Sequence, residues 1–223
     1  MLIMHLSKDW KIILGILVLG FAAAIIAYPF MPDMVASHWG LSGEVNGYLP
    51  RFWGLFLVPL LSAGLALLFL AIPRIDPLKA NIAKFRETYD RFVIVVLLFL
   101  FYVSLLGIAW NTGIRFGIAQ VLSPALGVLY YACGVLIGRA RRNWFVGIRT
   151  PWTLSSERVW DRTHAIGGRL FRVAGFLALL GAILPGLVWI LVIGPVLLIS
   201  VYLVVYSYLE YQKEEVTTGP GKA

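Results

Sequence analysis

Six apolar blocks separated by shorter polar segments dominate the chain. They cover residues 12–30, 52–72, 92–110, 116–138, 170–184 and 187–208. A helix needs about twenty residues to cross the hydrocarbon core. Four blocks reach that length, the first nearly does, and the fifth is short. The fifth and sixth blocks meet at Pro185-Gly186 without an intervening charge. As one straight helix they would measure about 60 Å, roughly two membrane thicknesses, so a helical hairpin is predicted.

Composition supports lipid rather than water as the solvent. Apolar residues make up 60% of the chain and charged residues 13%, too few charges to cover a soluble domain of this size. The net charge of +8 raises the question of nucleic acid. The basic residues lie at the ends of apolar blocks, however, and no groove-reading motif is present, which argues against direct nucleic-acid binding. The fold predicted is therefore an all-α polytopic membrane protein with six transmembrane helices.

The distribution of Lys and Arg predicts the orientation. Segments 1–11, 73–91, 139–169 and 209–223 hold nearly all of the basic residues, and the alternate segments hold only Arg51 and Arg115. Because basic residues favour the cytoplasmic side of short loops, both termini are predicted inside and the loop 31–51 outside. The predicted location is the cell membrane, with multiple passes. The single cysteine, Cys133, lies within a block and is predicted to pack as a small apolar side chain.

Three regions follow from this layout. Residues 1–91 form an N-terminal two-helix membrane region with an extracellular Pro/Gly/His loop and a cytoplasmic linker. Residues 92–209 form a four-helix membrane region with a large cytoplasmic loop. Residues 210–223 are polar and contain Gly and Pro, which predicts a disordered cytoplasmic tail.

The outer loop reads PFMPDMVASHWGLSGEVNGYLPRFWG. Its prolines and glycines predict a fixed shape without regular structure. Asp33, His38 and Glu44 could bind metal or act as acid or base, but their spacing fits no zinc motif and one histidine is a thin basis for a site. A structural His38 beside a Trp39 anchored in the headgroups is favoured.

The inner loop reads GRARRNWFVGIRTPWTLSSERVWDRTHAIGGRLF. Its aromatic and apolar content predicts that it folds back against the membrane or the bundle. Thr153 or Ser155 is expected to cap a short helix that carries Glu157 in its first turn. On that helix Trp160 and His164 are four residues apart, as are Glu157 and Asp161, so the four lie near one face. Neighbouring arginines favour ion pairing of the carboxylates over catalysis, and residues 167–168, both glycine, are expected to turn the chain into the fifth span.

The spans themselves lack ionisable side chains apart from Arg172, near the inner end of the fifth block. Ion-coupled transporters usually need such groups at depth. A pump is therefore disfavoured, although a pathway lined by backbone and hydroxyl groups stays open.

The segment NWFVGIRTPWTLSSERVWDRTHAIGG resembles the hallmark of the SdpI family of membrane immunity proteins. The outer run PFMPDMVASHWGLSGEVNGYLPR resembles the N-terminal domain of unknown function that accompanies it. The inner positions that carry the resemblance are Asn143, Gly147, Arg149, Thr150, Pro151, Trp152, Thr153, Leu154, Ser155, Trp160 and His164. The outer positions are Pro32, His38, Trp39, Gly43, Gly47 and Tyr48. Trp39-Gly40 departs from the family's usual aromatic-Asn pair.

The resemblance implies resistance to a membrane-active peptide toxin, which would act at the outer face. It also implies signalling through a cytoplasmic regulator protein at the inner face. No cofactor is predicted for the chain. The candidate outer binding residues are Pro32, His38, Trp39, Gly43, Glu44 and Tyr48. The candidate inner binding residues are Asn143, Gly147, Arg149, Thr150, Pro151, Thr153, Glu157, Trp160 and His164.

Two alternatives stay open. One is a small-molecule transporter or flippase-like protein. The other is a membrane-embedded metal-dependent hydrolase that uses His164 with Glu157 and Asp161, or His38 with Glu44. No metal or catalytic residue is predicted under the favoured interpretation.

Overall fold

A computed structural model describes residues 8–218 as a bundle of long helices with a small hairpin at one end. The long helices are α1 (Lys8–Ala27), α2 (Arg51–Ile75), α4 (Arg86–Asn111), α5 (Ile118–Arg139), α7 (Glu157–Leu180) and α8 (Val188–Thr218). Two short helices, α3 (Lys79–Ala83) and α6 (Pro151–Ser155), lie in the connections. Single 3₁₀ turns cover Tyr28–Phe30 and Pro185–Leu187, and the strands are β1 (Met34–Trp39) and β2 (Val45–Pro50).

Within residues 8–218, five helices are long and apolar enough to cross a membrane: α1, α2, α4, α5 and α8. Helix α7 has the length but not the apolar composition, because its first half carries Glu157, Arg158, Asp161, Arg162 and His164. The all-α polytopic membrane fold is confirmed, with a two-stranded hairpin added. The count of six spans and their orientation stay predictions.

The N-terminal half packs around α4. Its buried side chains Tyr89, Val93 and Leu97 join Ile13 of α1 and Ala66 of α2 in one apolar cluster. The Tyr89 hydroxyl donates to the carbonyl of Phe69 at 2.7 Å, so the one polar atom of that ring is satisfied. Helix α4 also contacts α5, which connects the two predicted membrane regions.

The C-terminal half is built on a close crossing of α5 and α7 at glycines. A Cβ atom added at Gly134 would lie 2.7 Å from the Gly168 carbonyl oxygen, and one added at Gly175 would lie 2.7 Å from that of Gly127. Small residues allow helix backbones to approach closely in a membrane. Residues 167–168 therefore belong to this crossing and not to a turn. The predicted turn is wrong, since α7 runs without interruption from Glu157 to Leu180.

The outer loop contains regular structure, contrary to the prediction. Strands β1 and β2 pair antiparallel with Val35 opposite Leu49, Ala36 opposite Tyr48 and His38 opposite Gly47. Asn111, at the end of α4, binds the outer edge of β1: its Oδ1 accepts from the Ala36 N–H (2.8 Å) and its Nδ2 donates to the Ala36 carbonyl (3.0 Å). The side chain thus replaces a neighbouring strand, which lets a two-stranded sheet persist.

The helix ends at the inner side also differ from expectation. Thr150 caps α6 and Ser156 caps α7, where Thr153 or Ser155 was expected. Helix α8 continues to Thr218, so the expected disordered tail is helical over its first nine residues (210–218), while residues 219–223 lie outside the described part. Glu210 explains the extension, since its buried carboxylate pairs with Arg162 at 2.6 Å and with Lys213 at 2.8 Å.

The two loops lie at opposite ends of the bundle. The hairpin binds Asn111, at the end of α4, whereas Arg139 beside the inner loop donates to Thr88, near its start. These α4 residues are 23 positions apart, which corresponds to about 35 Å along a helix. The hairpin tip also accepts a hydrogen bond from Trp189 at the start of α8.

Candidate binding sites at the two ends of the bundle

Asn143 shapes the first turn of the inner loop. Its side chain is fully buried and makes four hydrogen bonds to backbone groups. Oδ1 accepts from the N–H groups of Phe145 (2.9 Å) and Val146 (2.7 Å), and Nδ2 donates to the carbonyls of Arg141 (2.8 Å) and Val146 (2.9 Å). An amide is required here because the position needs two donors and two acceptors. Asn143 therefore holds the loop rather than presenting a group to a ligand.

The linker between α2 and α4 docks onto this turn. The buried Asp76 carboxylate accepts from the Trp144 N–H at 2.9 Å and from the Leu78 N–H at 2.6 Å. Asn81 of α3 donates to the Arg142 carbonyl at 2.9 Å. Sequence reasoning missed Asp76 and Asn81, which are 68 and 61 positions from their partners. A lone acid directly after an apolar block was the available signal.

Trp160 and His164 form the buried centre of the inner segment. Their rings stack at 3.8 Å with an interplanar angle of 14°. Trp160 Nε1 donates to the Ala140 carbonyl at 2.9 Å. Trp160 and His164 therefore share one face of α7, as predicted, whereas Glu157 and Asp161 point to solvent.

Both ring nitrogens of His164 are occupied. Nδ1 lies 2.8 Å from the Trp160 carbonyl, to which it donates, and Nε2 accepts from the Ile148 N–H at 3.0 Å. Burial disfavours the charged ring and lowers the pKa of His164 to about 4, against an opposing effect of the Trp160 carbonyl. The imidazole is neutral near pH 7 and serves as a backbone bridge. Neither ring nitrogen is free for a metal or a substrate.

Gly147 closes over this stack. Its φ is +116°, which L side chains rarely adopt, and a Cβ atom there would collide with His164 Nε2. The next turn is held by Thr150 and Thr153, which cap each other's backbone, while Thr150 Oγ1 contacts Ser207 Oγ on α8 at 3.0 Å. Pro151 occupies the first turn of α6, where its missing N–H costs nothing.

Exposed residues of the inner segment, which we call the ridge, lie among these buried ones along the chain. Arg149 is exposed and donates to the Trp144 carbonyl at 2.7 Å. Glu157 is exposed and lies 3.8 Å from Arg142, and Pro151 is exposed beside them in sequence. The inner candidates thus divide into two sets. Buried residues (Asn143, Thr150, Thr153, Trp160, His164) and the half-buried Gly147 build the segment, while Arg149, Pro151 and Glu157 are exposed.

The base of the outer hairpin is held by Arg51. Its Nη2 binds the Asp33 carboxylate at 2.5 Å and its Nε donates to the carbonyl of Pro32 at 3.3 Å. The Arg51 N–H also donates to the Asp33 carbonyl at 2.8 Å. Val35 is buried against Leu55 and Ala24, so the hairpin lies flat on the ends of α1 and α2. Pro32 is exposed at this junction.

His38 and its neighbours lie on the exposed part of the hairpin. His38 Nδ1 is 2.5 Å from Asn46 Oδ1, and the opposing Gly47 leaves only 2.9 Å between a hypothetical Cβ and that of His38. Gly43 turns the chain at φ +84°, and the Glu44 side chain is exposed next to it. Asn46, not foreseen, is the partner that orients His38.

Trp39 and Tyr48 complete the outer set. Trp39 meets Trp110 edge to face at 5.6 Å, and Trp110 in turn meets Phe116, so an aromatic row surrounds the start of the α4–α5 connection. The Tyr48 side chain is 58% exposed and lies on the opposite strand. The structure therefore brings the outer candidates onto one small sheet but does not gather Asp33, His38 and Glu44 around a common point.

Among residues 8–218, no group of three or more His, Cys, Asp and Glu side chains could hold a metal ion. Together with the occupied nitrogens of His164, this geometry gives the hydrolase alternative no assembled site in the described part of the chain. The candidate residues thus lie at the two ends of the bundle.

Comparison with known proteins agrees with this class. Residues 139–207 match the SdpI/YfhL protein family, and residues 15–63 match a domain of unknown function, DUF1648. The chain is similar to the immunity protein SdpI of Bacillus subtilis (strain 168), at 25% identity over 199 residues that cover 89% of this chain and 93% of the relative. No solved structure gives a significant match. The resemblance of the inner segment to the SdpI family is therefore confirmed, as is that of the outer run to a domain of unknown function.

Proposed function

We propose that this protein is a membrane immunity protein that protects its cell from a membrane-active peptide, with the outer hairpin as the surface that contacts the peptide. The observation that carries the proposal is the similarity to an immunity protein over 89% of the chain, which includes both end segments. The geometry adds that each segment is an ordered element at its own end of the bundle.

The open edge of β2 supports the role of the hairpin. Both backbone groups of Ala36 point away from β2, because they bind Asn111. Tyr48 lies directly opposite Ala36, so in this non-hydrogen-bonded pair its N–H and carbonyl also point away from the partner strand. An extended peptide that adds along β2 would find one donor and one acceptor ready at Tyr48.

The side chains around this edge suit an amphipathic peptide. Leu41 is 73% exposed at the tip, Met34 is exposed on β1, and Tyr48 is exposed on β2. Such apolar and aromatic side chains at the membrane surface favour a peptide that also partitions into the headgroup region. The peptide would be intercepted where it enters the bilayer.

Killing assays test the outer role. Cells sensitive to a panel of membrane-active peptides are challenged with and without expression of the chain, and protection against at least one peptide is expected. Tyr48→Pro removes the ring and, from the backbone, only the outward N–H, a loss that a sheet edge tolerates, and it should abolish protection. Tyr48→Val loses the ring but keeps the N–H and should protect. Unchanged killing by every peptide would reject the immunity function. Equal protection by both variants would reject the open edge of β2 as the surface that binds the peptide.

For the inner end, we propose that the exposed ridge around Arg149 binds a cytoplasmic regulator protein and so reports the state of the outer face. Arg149 is exposed, its guanidinium is held by the Trp144 carbonyl, and the turn before it is fixed by the hydrogen bonds of Asn143 to Phe145 and Val146. A rigid ridge with an oriented guanidinium suits recognition of a carboxylate-bearing partner.

Crosslinking from a photoreactive group placed at Trp144 tests the ridge. Arg149→Gln should lose the protein crosslink, while Arg158→Gln, which removes an exposed arginine on α7, should keep it. Crosslinks that survive in both variants, or disappear in both, would contradict a binding role for Arg149.

A further inference from the structure

A cleft of about 600 Å³ opens at the inner end of the bundle, apart from the ridge at Arg149. Three elements enclose it: the junction of α3 and α4 (83–88), the end of α5 (138–141), and one turn of α7 that presents Asp161, His164 and Ala165. Since the apolar block of α4 begins at Phe92, only a turn further along, the cleft lies at the level of the lipid headgroups.

Most charges that line the cleft are paired. Arg86 binds the buried Asp90 at 2.9 Å through its Nε, and Glu87 binds Arg91. Arg141 lies 3.4 Å from Asp161. These pairs leave little net charge among them.

Lys84 and Arg139 differ from the others. Lys84 Nζ donates to Asn81 Oδ1 at 2.9 Å, and Arg139 Nη1 donates to Thr88 Oγ1 at 3.0 Å. In the stretch 8–218, neither has a carboxylate within ion-pair distance. Neutral acceptors therefore position two cations on one cleft without cancelling their charge, and a cleft with low-dielectric walls concentrates the resulting field.

The backbone adds to this field. Helix α4 begins at Arg86 without a side-chain cap from Phe85, and its first residues, 86–88, line the same cleft. First-turn N–H groups carry partial positive charge and bind phosphate groups well. This contribution supplements the two cations and is not the basis of the site.

We propose that the cleft between Lys84 and Arg139 binds a phosphate group, either of an anionic phospholipid headgroup or of free phosphate. Arg139 offers a planar fork to two phosphate oxygens and Lys84 offers a point charge from the other side. Such a ligand would join α4, α5 and α7 at the base of the inner segment. The proposal is independent of the immunity function.

Native mass spectrometry of the purified full chain tests the site. The protein is released from mixed micelles that contain phosphatidylglycerol and phosphatidylcholine, and one retained phosphatidylglycerol per chain is expected. The Lys84→Gln/Arg139→Gln double variant should lose this lipid. Each substitution alone should weaken retention about fivefold, the value of one basic residue near an anionic surface. Arg158→Gln removes an exposed charge outside the cleft and should retain the lipid.

A second arm separates the two sources of phosphate. Inorganic phosphate is added to lipid-free protein, and thermal unfolding is measured for the wild type and the double variant. A rise in the unfolding temperature that only the wild type shows identifies free phosphate as the ligand. Retention of phosphatidylglycerol without such a rise identifies the lipid headgroup as the ligand. Equal lipid loss in the double variant and in Arg158→Gln, or neither lipid retention nor a phosphate shift in the wild type, would overturn the proposal. Lys84→Gln alone, at an exposed side chain, repeats the test should the double variant fold poorly.

Discussion

Replacing Gly147 by alanine should destabilise the inner segment strongly. At φ +116° the alanine backbone is strained by about 1–3 kcal/mol. Its Cβ would also collide with His164 Nε2 and lie 3.3 Å from the Trp160 ring. His164 must then move, which weakens the bond from the Ile148 N–H by about 0.5–1.5 kcal/mol and the ring stack by a similar amount.

These contributions sum to a central value of about 4 kcal/mol in the free energy of unfolding. Denaturant titration in mixed micelles measures that energy, with tryptophan fluorescence as the probe. Gly64→Ala is the matched control, since it lies within α2 with nothing within 4 Å of its Cβ and should be neutral or slightly stabilising. A Gly147→Ala protein within about 1 kcal/mol of wild type would refute the described packing of Gly147 on His164.

Three further predictions concern other parts of the fold. The pKa of His164 is about 4 in the folded protein and 6.5 in the unfolded chain, so the stability that the neutral imidazole contributes is complete above pH 6.5. That stability is lost as the pH falls towards 4, by up to about 3 kcal/mol. His164→Gln should flatten this part of the curve of stability against pH, and an unchanged curve would contradict the neutral bridge. Gly134→Ala should weaken the α5–α7 crossing by about 1–3 kcal/mol in the denaturant titration. At Gly138 the nearest contact of an added Cβ is 3.8 Å away, so Gly138→Ala should be tolerated, and equal effects of the two variants would argue against the crossing. Asn111→Leu should release β1 and speed hydrogen exchange at the Ala36 amide, while protection equal to wild type would mean that another group holds the strand.

The helical part of the fold could be predicted from the sequence because lipid imposes one dominant constraint. Uninterrupted apolar residues over the hydrocarbon thickness have few structures open to them other than helices. The polar ends of the helices are harder to predict from the pattern of apolar residues. Helix α4 begins six residues before its apolar block, since Arg86 and Asp90 pair one turn apart in the headgroup region.

The hairpin was missed because its stability depends on a side chain far away in the sequence. Two six-residue strands are marginal alone. Asn111, 75 positions after Ala36, completes the edge of β1, and no local pattern could show that pairing. The alternation of Val45, Gly47 and Leu49 was the only local signal.

Part of the inner site followed from helical spacing. Trp160 and His164 share a face, as four-residue spacing predicts, and the aromatic content foretold that the loop folds back. Spacing could not show that Gly147 lies over the imidazole or that Asp76 accepts from Trp144. It also could not show that 167–168 pack against α5, because glycine permits close helix contact as readily as a turn.

Both proposed roles require the hairpin and the inner segment to face opposite sides of the membrane. The direct measurement is labelling of intact cells with a membrane-impermeant maleimide, in a Cys133→Ala background. Ser42→Cys places a thiol at the exposed hairpin tip and Ser155→Cys places one on the exposed side of α6. The first variant should label in intact cells and the second only after permeabilisation. Labelling of both in intact cells, or of the second alone, would contradict the two-faced arrangement.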